Sequence, residues 1–202
     1  MCQSAIQDTE KKLGIADGLL DAIGRVESGR LDAVSGRAGP WPWTINAEGI
    51  GSVYATKAEA IAAVQALQAR GVQSIDVGCV QVNLMYHPAA FASLDMAFDP
   101  AANVAYGGRF LKALYAELGT WPDAAAAYHS RNATLAEPYR QRVLAAWPKG
   151  PGITSKPPAP LNTNTDVYGV WPPPGVVYGA IPPHSFAYRC CGTAAASGAR
   201  IP

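Results

Sequence analysis

Up to Trp147, apolar residues recur mainly at the three- and four-residue steps of helices that bury one face. A first helix is predicted over residues 3–13. A second begins after Asp17 and ends near Gly29, glycine being common just past a helix end. The third opens on Thr56-Lys57-Ala58-Glu59, the spacing of a capping box, and stops at Gly71. Its Ile61, Val64 and Leu67 follow one another at three-residue steps within one face. A short helix is predicted over 80–85. Asp99-Pro100 starts a longer one, an N-cap followed by proline at the first helical position, and Gly119 ends it. Val104, Leu111, Leu114 and Leu118 form its apolar face. Two more helices are predicted over 122–129 and 135–147. The stretch 41–54 breaks the helical period: two short β-prone runs flank a glycine-rich turn, which predicts a small hairpin. The expected fold is mainly α, a helical domain with one small β element.

After Trp147 the pattern stops. Eleven of the 17 prolines lie from Pro148 onward. Lys156-Pro157-Pro158-Ala159-Pro160 and Trp171-Pro172-Pro173-Pro174 can continue neither helices nor central strands and favour extended polyproline-like segments. Residues 148–202 carry Lys149, Lys156, Arg189 and Arg200 against the single acid Asp166. Their net charge is therefore +3, and with +1 for the whole chain residues 1–147 carry −2. This predicts a folded domain over 1–147 and a Pro-rich, flexible tail over 148–202.

Composition narrows the function classes. A net charge of +1, with only 15% charged residues, argues against a basic face for nucleic acid. No apolar run approaches the roughly 18–20 residues of a transmembrane helix. Met1-Cys2-Gln3-Ser4 shows neither the basic start nor the apolar stretch of a signal peptide. That opening fits a cytoplasmic chain, a mature secreted chain with a new start Met, or a chain lipid-anchored at Cys2. Cys2, Cys79, Cys190 and Cys191 lack zinc-site spacing, and His87 and His184 have no ligand-spaced partners, so no metal and no cofactor are expected.

The candidate chemistry starts at Glu27. In Leu19-Leu20-Asp21-Ala22-Ile23-Gly24-Arg25-Val26-Glu27, residues Leu20, Ile23 and Glu27 share one helix face. A carboxylate at an apolar position is costly unless it is paired or protonated. Apolar surroundings and the negative end of the helix dipole both raise its pKa. A glycosidase needs such a carboxyl, still protonated near neutral pH, to donate to the leaving oxygen. Taken alone, the segment also allows Glu27 to pair with Arg25 or Arg30, or to fray into solvent.

Three further segments lie downstream of Glu27-Ser28: Gly78-Cys79-Val80-Gln81-Val82-Asn83, Ala127-Tyr128-His129-Ser130, and Tyr139. Together, and in this order, the four resemble the motifs of the soluble lytic transglycosylase family over roughly 12–147. The resemblance implies a lysozyme-like fold. It also implies cleavage of the β-1,4 bond between N-acetylmuramic acid and N-acetylglucosamine in peptidoglycan, leaving a 1,6-anhydro end. One carboxylate suffices for that reaction, with Glu27 first the acid and then the base for the sugar's own 6-hydroxyl.

Gln81 and Asn83 offer amides for N-acetyl groups and hydroxyls, or form a polar helix face. Ser28 bonds the carboxylate, a sugar or its own backbone. Tyr128 and Tyr139 orient Glu27, pack on a sugar or fill the core. Trp41 and Trp43 line the groove or pack within the hairpin. Cys79-Val80 and His129-Ser130 depart from the family's usual Leu-Met and Asn-Ala; if His129 takes over the contact of that Asn, it adds a group titrating near pH 6.5. The gap from Glu27 to Gly78 is long, and the hairpin and capped helix within it read as an insertion.

The resemblance also implies a periplasmic or cell-envelope location, where disulfides persist, and from this a Cys2–Cys79 disulfide is expected. Peptidoglycan strands are the expected partner, and the tail could dock a protein of an envelope assembly. A hydrolytic muramidase of the same fold and a non-catalytic wall-binding or assembly protein are the alternatives.

Overall fold

The computed structural model describes residues 1–31, 38–148 and 150; apart from Pro148 and Gly150, the expected tail lies outside the described residues. Seven helices carry the domain: α1 (Cys2–Leu13), α2 (Leu19–Ser28), α3 (Lys57–Ala69), α4 (Leu94–Ala97), α5 (Pro100–Leu118), α6 (Trp121–His129) and α7 (Ala133–Ala146). Local chemistry sets several of their ends. Thr56 and Glu59 form a reciprocal capping box on α3, Asp99 accepts from the Ala102 N–H at the start of α5, and Gly119 closes α5 in the left-handed conformation.

The helices build one core around α5, which packs on α1 and α6, while α7 packs on α2 and α6. Ile6, Leu20, Ile23, Leu111, Tyr139 and Val143 are buried within it. A second, smaller core lies beneath α3, where Val64 and Phe98 meet Ile45, Ile75 and Val77 of a sheet.

The β structure exceeds the single hairpin expected. Strands β1 (Gly29–Leu31) and β2 (Ala38–Pro40) pair with each other. Strands β3 (Thr44–Ala47), β4 (Ile50–Val53), β5 (Ile75–Val77) and β6 (Val82–Asn83) form an antiparallel sheet in the order β4-β3-β5-β6. The helix expected over 80–85 is absent; β6 and turns stand in its place. Gly78 (φ 85°) and Gln81 (φ 47°) are left-handed and interrupt any helical run, and the Val82–Asn83 pair joins the sheet instead. Only glycine fits at position 78, because the Asn103 side chain occupies the space a Cβ would need. From there Asn103 donates to the carbonyls of Val77 (2.9 Å) and Ala97 (3.0 Å) and accepts from the Val80 N–H (3.1 Å). One buried amide thus ties α5 to the segment that joins β5 and β6.

Cys2 and Cys79 are joined by a disulfide with their Cα atoms 5.8 Å apart. It fastens the start of α1 to this same segment.

Candidate active site

Glu27 ends the apolar face of α2 and opens onto a cavity between the helical core and the sheet. The cavity holds about 30 Å³ and is lined also by Asp76, Gln81, Asn83, His87, Tyr106, Gly107, Phe110, Tyr128 and His129. That volume accommodates a water or two.

Arg25 and Arg30 are engaged elsewhere. Arg25 pairs with Asp21 at 2.7 Å, and the Arg30 guanidinium lies 4.4 Å from the centre of the Trp41 ring. Glu27 keeps some solvent exposure, yet protein crowds its carboxyl, and this desolvation pushes its pKa up to about 8. The negative charge of Asp76 adds to the rise. The Tyr139 hydroxyl and the Arg142 guanidinium, both from α7, oppose it. The hydroxyl of Tyr139 faces the carboxyl without meeting strict hydrogen-bond geometry, so the contact is electrostatic rather than a fully formed bond. Near pH 7 Glu27 is thus mostly protonated, the state a general acid requires.

Asp76 comes from the opposite wall. Strand β5 alternates Ile75 and Val77 into the core under α3 and turns Asp76 to the other face, into the cavity. Burial raises its pKa to about 7, and a 2.8 Å bond from Asn83 Nδ2 opposes that rise.

The motif residues form the frame of this cavity. Ser28 Oγ donates to the Cys79 carbonyl (2.6 Å) and accepts from the Trp41 N–H (3.1 Å), joining α2, the β5–β6 segment and the hairpin. Gln81 Nε2 donates to the carbonyls of Thr44 (3.0 Å) and Gly78 (2.9 Å), which commits its amide nitrogen to the fold. Asn83 donates to Ser74 Oγ and Asp76 and accepts from the Met85 and Tyr86 N–H groups. Tyr128 donates to the Val80 carbonyl at 2.9 Å. Gly107 leaves room for both partners, since a Cβ there would meet Val80 at 2.6 Å and the Tyr128 hydroxyl at 2.7 Å.

His129 lines the cavity and stacks on Tyr139, ring centres 4.6 Å apart and planes at 7°. Burial, aided by the Arg142 charge, lowers its pKa to about 4. It is therefore neutral across the physiological range and does not titrate near 6.5. Trp41 and Trp43 stand edge to face at 5.3 Å, and Trp41 donates to the Tyr54 carbonyl, so both serve the hairpin and neither lines the cavity.

Sequence reasoning passed over Asp76, Tyr106 and Phe110, and set His87 aside as a turn residue without ligand-spaced partners. The Ile75-Asp76-Val77 alternation is the signal that marks Asp76. His87 reads locally as a turn before Pro88, yet it is buried, shares a 2.9 Å hydrogen bond with Tyr106 and packs edge-on against Phe110 at 5.0 Å. Its pKa falls to about 4 through burial. Only the tertiary fold brings these three rings to the cavity.

A glutamate at the end of a helix thus faces a small antiparallel sheet across a cavity, the arrangement of a lysozyme-like domain. The chain matches the transglycosylase SLT domain over residues 4–145 and belongs to that family. The family gives it a lytic transglycosylase-type function acting on peptidoglycan. No curated protein and no solved structure matches the chain.

Proposed function

We propose that this protein cleaves the MurNAc-β-1,4-GlcNAc bond of peptidoglycan with Glu27 as the single proton carrier and leaves a 1,6-anhydro end. The observation that carries the reading is the placement of the Glu27 carboxyl, at the end of α2 and lining the cavity, where the crowding of protein around it favours the protonated form. Glu27 gives its proton to the leaving oxygen of N-acetylglucosamine as the bond from C1 to that oxygen breaks. The resulting carboxylate then takes the proton of the 6-hydroxyl, and O6 closes on C1. No water is consumed, and Glu27 is again protonated for the next strand.

The Cys2–Cys79 bridge supports a place in the periplasm or cell envelope, since disulfides persist in oxidising compartments. The test is mass spectrometry of the fragments released from purified peptidoglycan. The expected fragments end in anhydro-MurNAc; fragments heavier by one water, with reducing ends, would make the enzyme a hydrolytic muramidase.

A further inference from the structure

We propose that His129 is a positioning residue of this site: its ring, stacked on Tyr139, fixes the direction in which that tyrosine holds its hydroxyl towards Glu27. The proposal rests on the acid role given to Glu27 above.

The geometry begins with a hydroxyl that nothing ties down. The Tyr139 hydroxyl is buried and forms no hydrogen bond of full geometry among the described residues. Its direction is therefore set by the ring that carries it. The hydroxyl stands at the far end of that ring, where a tilt displaces it most. Two side chains meet the ring. His129 lies parallel to it, ring centres 4.6 Å apart and planes at 7°, and the Arg142 guanidinium is 5.5 Å from its centre. A parallel ring at this distance is in face contact, and that contact opposes tilt out of the plane.

The histidine is itself on a rigid mount. It ends α6, at the corner with α7. On one side of it Tyr128 donates to the Val80 carbonyl. On the other, Ser130 Oγ accepts from the Asn132 N–H (3.0 Å), and the Asn132 side chain accepts from the Thr134 N–H (2.9 Å) to cap α7. The stack thus carries the order of the α6–α7 corner to a hydroxyl that lacks an anchor of its own. Stacking asks for a flat, neutral ring. Burial disfavours an imidazolium here, and the Arg142 charge disfavours it further, so His129 keeps its neutral form. The family's usual asparagine at this position has no ring to lay on Tyr139.

The other groups around Glu27 are Asp76 of β5, His87 after β6, Tyr106 of α5, Tyr128 of α6 and Arg142 of α7. Asp76 raises the Glu27 pKa and Arg142 lowers it, each through a charge acting at a distance, which a small tilt of one ring leaves intact. The Tyr139 hydroxyl lowers it too, but through a contact whose strength depends on distance and angle. Loss of the His129 ring should therefore reach Glu27 through Tyr139.

The experiment compares the full-length parent with His129→Asn, His129→Phe, Tyr139→Phe and the double variant H129N/Y139F, each checked by circular dichroism. His129→Ala replaces the asparagine variant should it misfold, and His129→Tyr the phenylalanine one. The Glu27 carboxyl is titrated by NMR of its labelled carbon, assigned with Glu27→Gln, beside pH profiles of kcat/KM on purified peptidoglycan. In His129→Asn the titration and the alkaline limb should both move to higher pH, by up to about one pH unit, the reach of one hydrogen bond to a carboxylate. His129→Phe, which keeps a flat neutral ring, should restore the parental values. In the Tyr139→Phe background His129→Asn should add nothing. Water admitted to the vacated space would act the opposite way, by easing the desolvation that holds the Glu27 pKa up, so the sign separates positioning from loss of cover. A downward or absent shift in His129→Asn overturns the proposal, as does a phenylalanine variant that behaves like the asparagine one. So does an effect that persists in full without the Tyr139 hydroxyl, which would place His129 on the substrate itself. A parent that cleaves no strand removes the transglycosylase reading, while the carboxyl titration still reports on His129.

Discussion

Helix α2 has a crowded glutamate at each end, and the two have opposite fates. At its N-terminus Glu10 reaches over from α1 and accepts from the backbone N–H groups of Leu20 (2.8 Å), Gly18 (3.2 Å) and Asp21 (3.4 Å). These are the donors a helix start leaves unmet, and the helix dipole there favours a negative charge. Burial still raises the Glu10 pKa, but three backbone bonds pull against it. At the C-terminus Glu27 meets the opposite dipole, one imperfectly placed tyrosine hydroxyl, a second carboxylate and only the through-space charge of Arg142. Burial alone does not make an acid. What separates a structural glutamate from a reactive one is whether donors are supplied to its charged form.

The sharpest break in this comparison is Glu27→Gln. Turnover should fall at least about 1,000-fold, since one group serves as both acid and base, while circular dichroism stays parental. The sign on stability follows from the raised pKa. Folded Glu27 holds its proton to about 8, whereas the unfolded chain releases it near the ordinary value of 4.5, so this group weakens the fold as pH rises between the two. Glu27→Gln should therefore unfold at a higher temperature than the parent at pH 9, with the gap closing towards pH 5. A folded variant that releases peptidoglycan at the parental rate would remove Glu27 from the mechanism.

The next effect is on stability. The Cys2–Cys79 bridge spans a sequence separation of 77 and backs the segment that frames Glu27. Cys2→Ser should lower stability by up to roughly 4 kcal/mol, read as a lower denaturant midpoint, with turnover at 25 °C retained. A parental midpoint would mean that packing alone holds α1 in place.

Glu10→Ala is the mirror of Glu27→Gln. It strips three N–H groups of their acceptor and should reduce stability by about 2 kcal/mol, with kcat within about twofold of the parent. If activity fell with little loss of stability, the division between the two ends of α2 would be wrong.

How much of this was legible in the sequence follows from where each residue's partners lie. Thr56 with Glu59, Asp99 with Ala102, and Gly119 settle their ends with residues next to them in the chain, so local rules read them correctly. Glu27 was legible because its partners of interest, Leu20 and Ile23, share its helix face. The β5–β6 segment was not, because the left-handed turns at Gly78 and Gln81 depend on Asn103, a side chain on a distant helix. Ser28 reads as a partner for the carboxylate, a sugar or its own backbone, and its bond to the Gly24 carbonyl (3.2 Å) is of the last kind; Gln81 reads as an amide for a sugar or part of a polar helix face. Their bonds to the carbonyls of Cys79, 51 residues away, and Thr44, 37 away, are invisible to any local pattern. Asp76 stood in view between two apolar neighbours, but only the register beside Asn46 and Asn83 brings it to Glu27.

The finest test of the comparison is Tyr139→Phe, which removes the hydroxyl of α7 that faces Glu27. That contact lowers the Glu27 pKa, so its loss should carry the pKa above about 8 and move the alkaline limb of kcat/KM to higher pH. Asp76→Asn predicts movement the other way, so the two variants bracket the parent. The ring that stacks on His129 remains, and the buried hydroxyl has no partner of full geometry to leave behind. Unfolding temperature should therefore stay within a few degrees of the parent's, about 1 kcal/mol at most. Turnover at pH 6, where Glu27 is protonated with or without the tyrosine, should fall no more than about tenfold, the equivalent of one hydrogen bond's orientation. A pH–rate profile of both variants decides the matter. An alkaline limb that shifts to lower pH in Tyr139→Phe would mean that the hydroxyl supports the protonated acid instead, and that Glu27 owes its proton to more than the absence of donors.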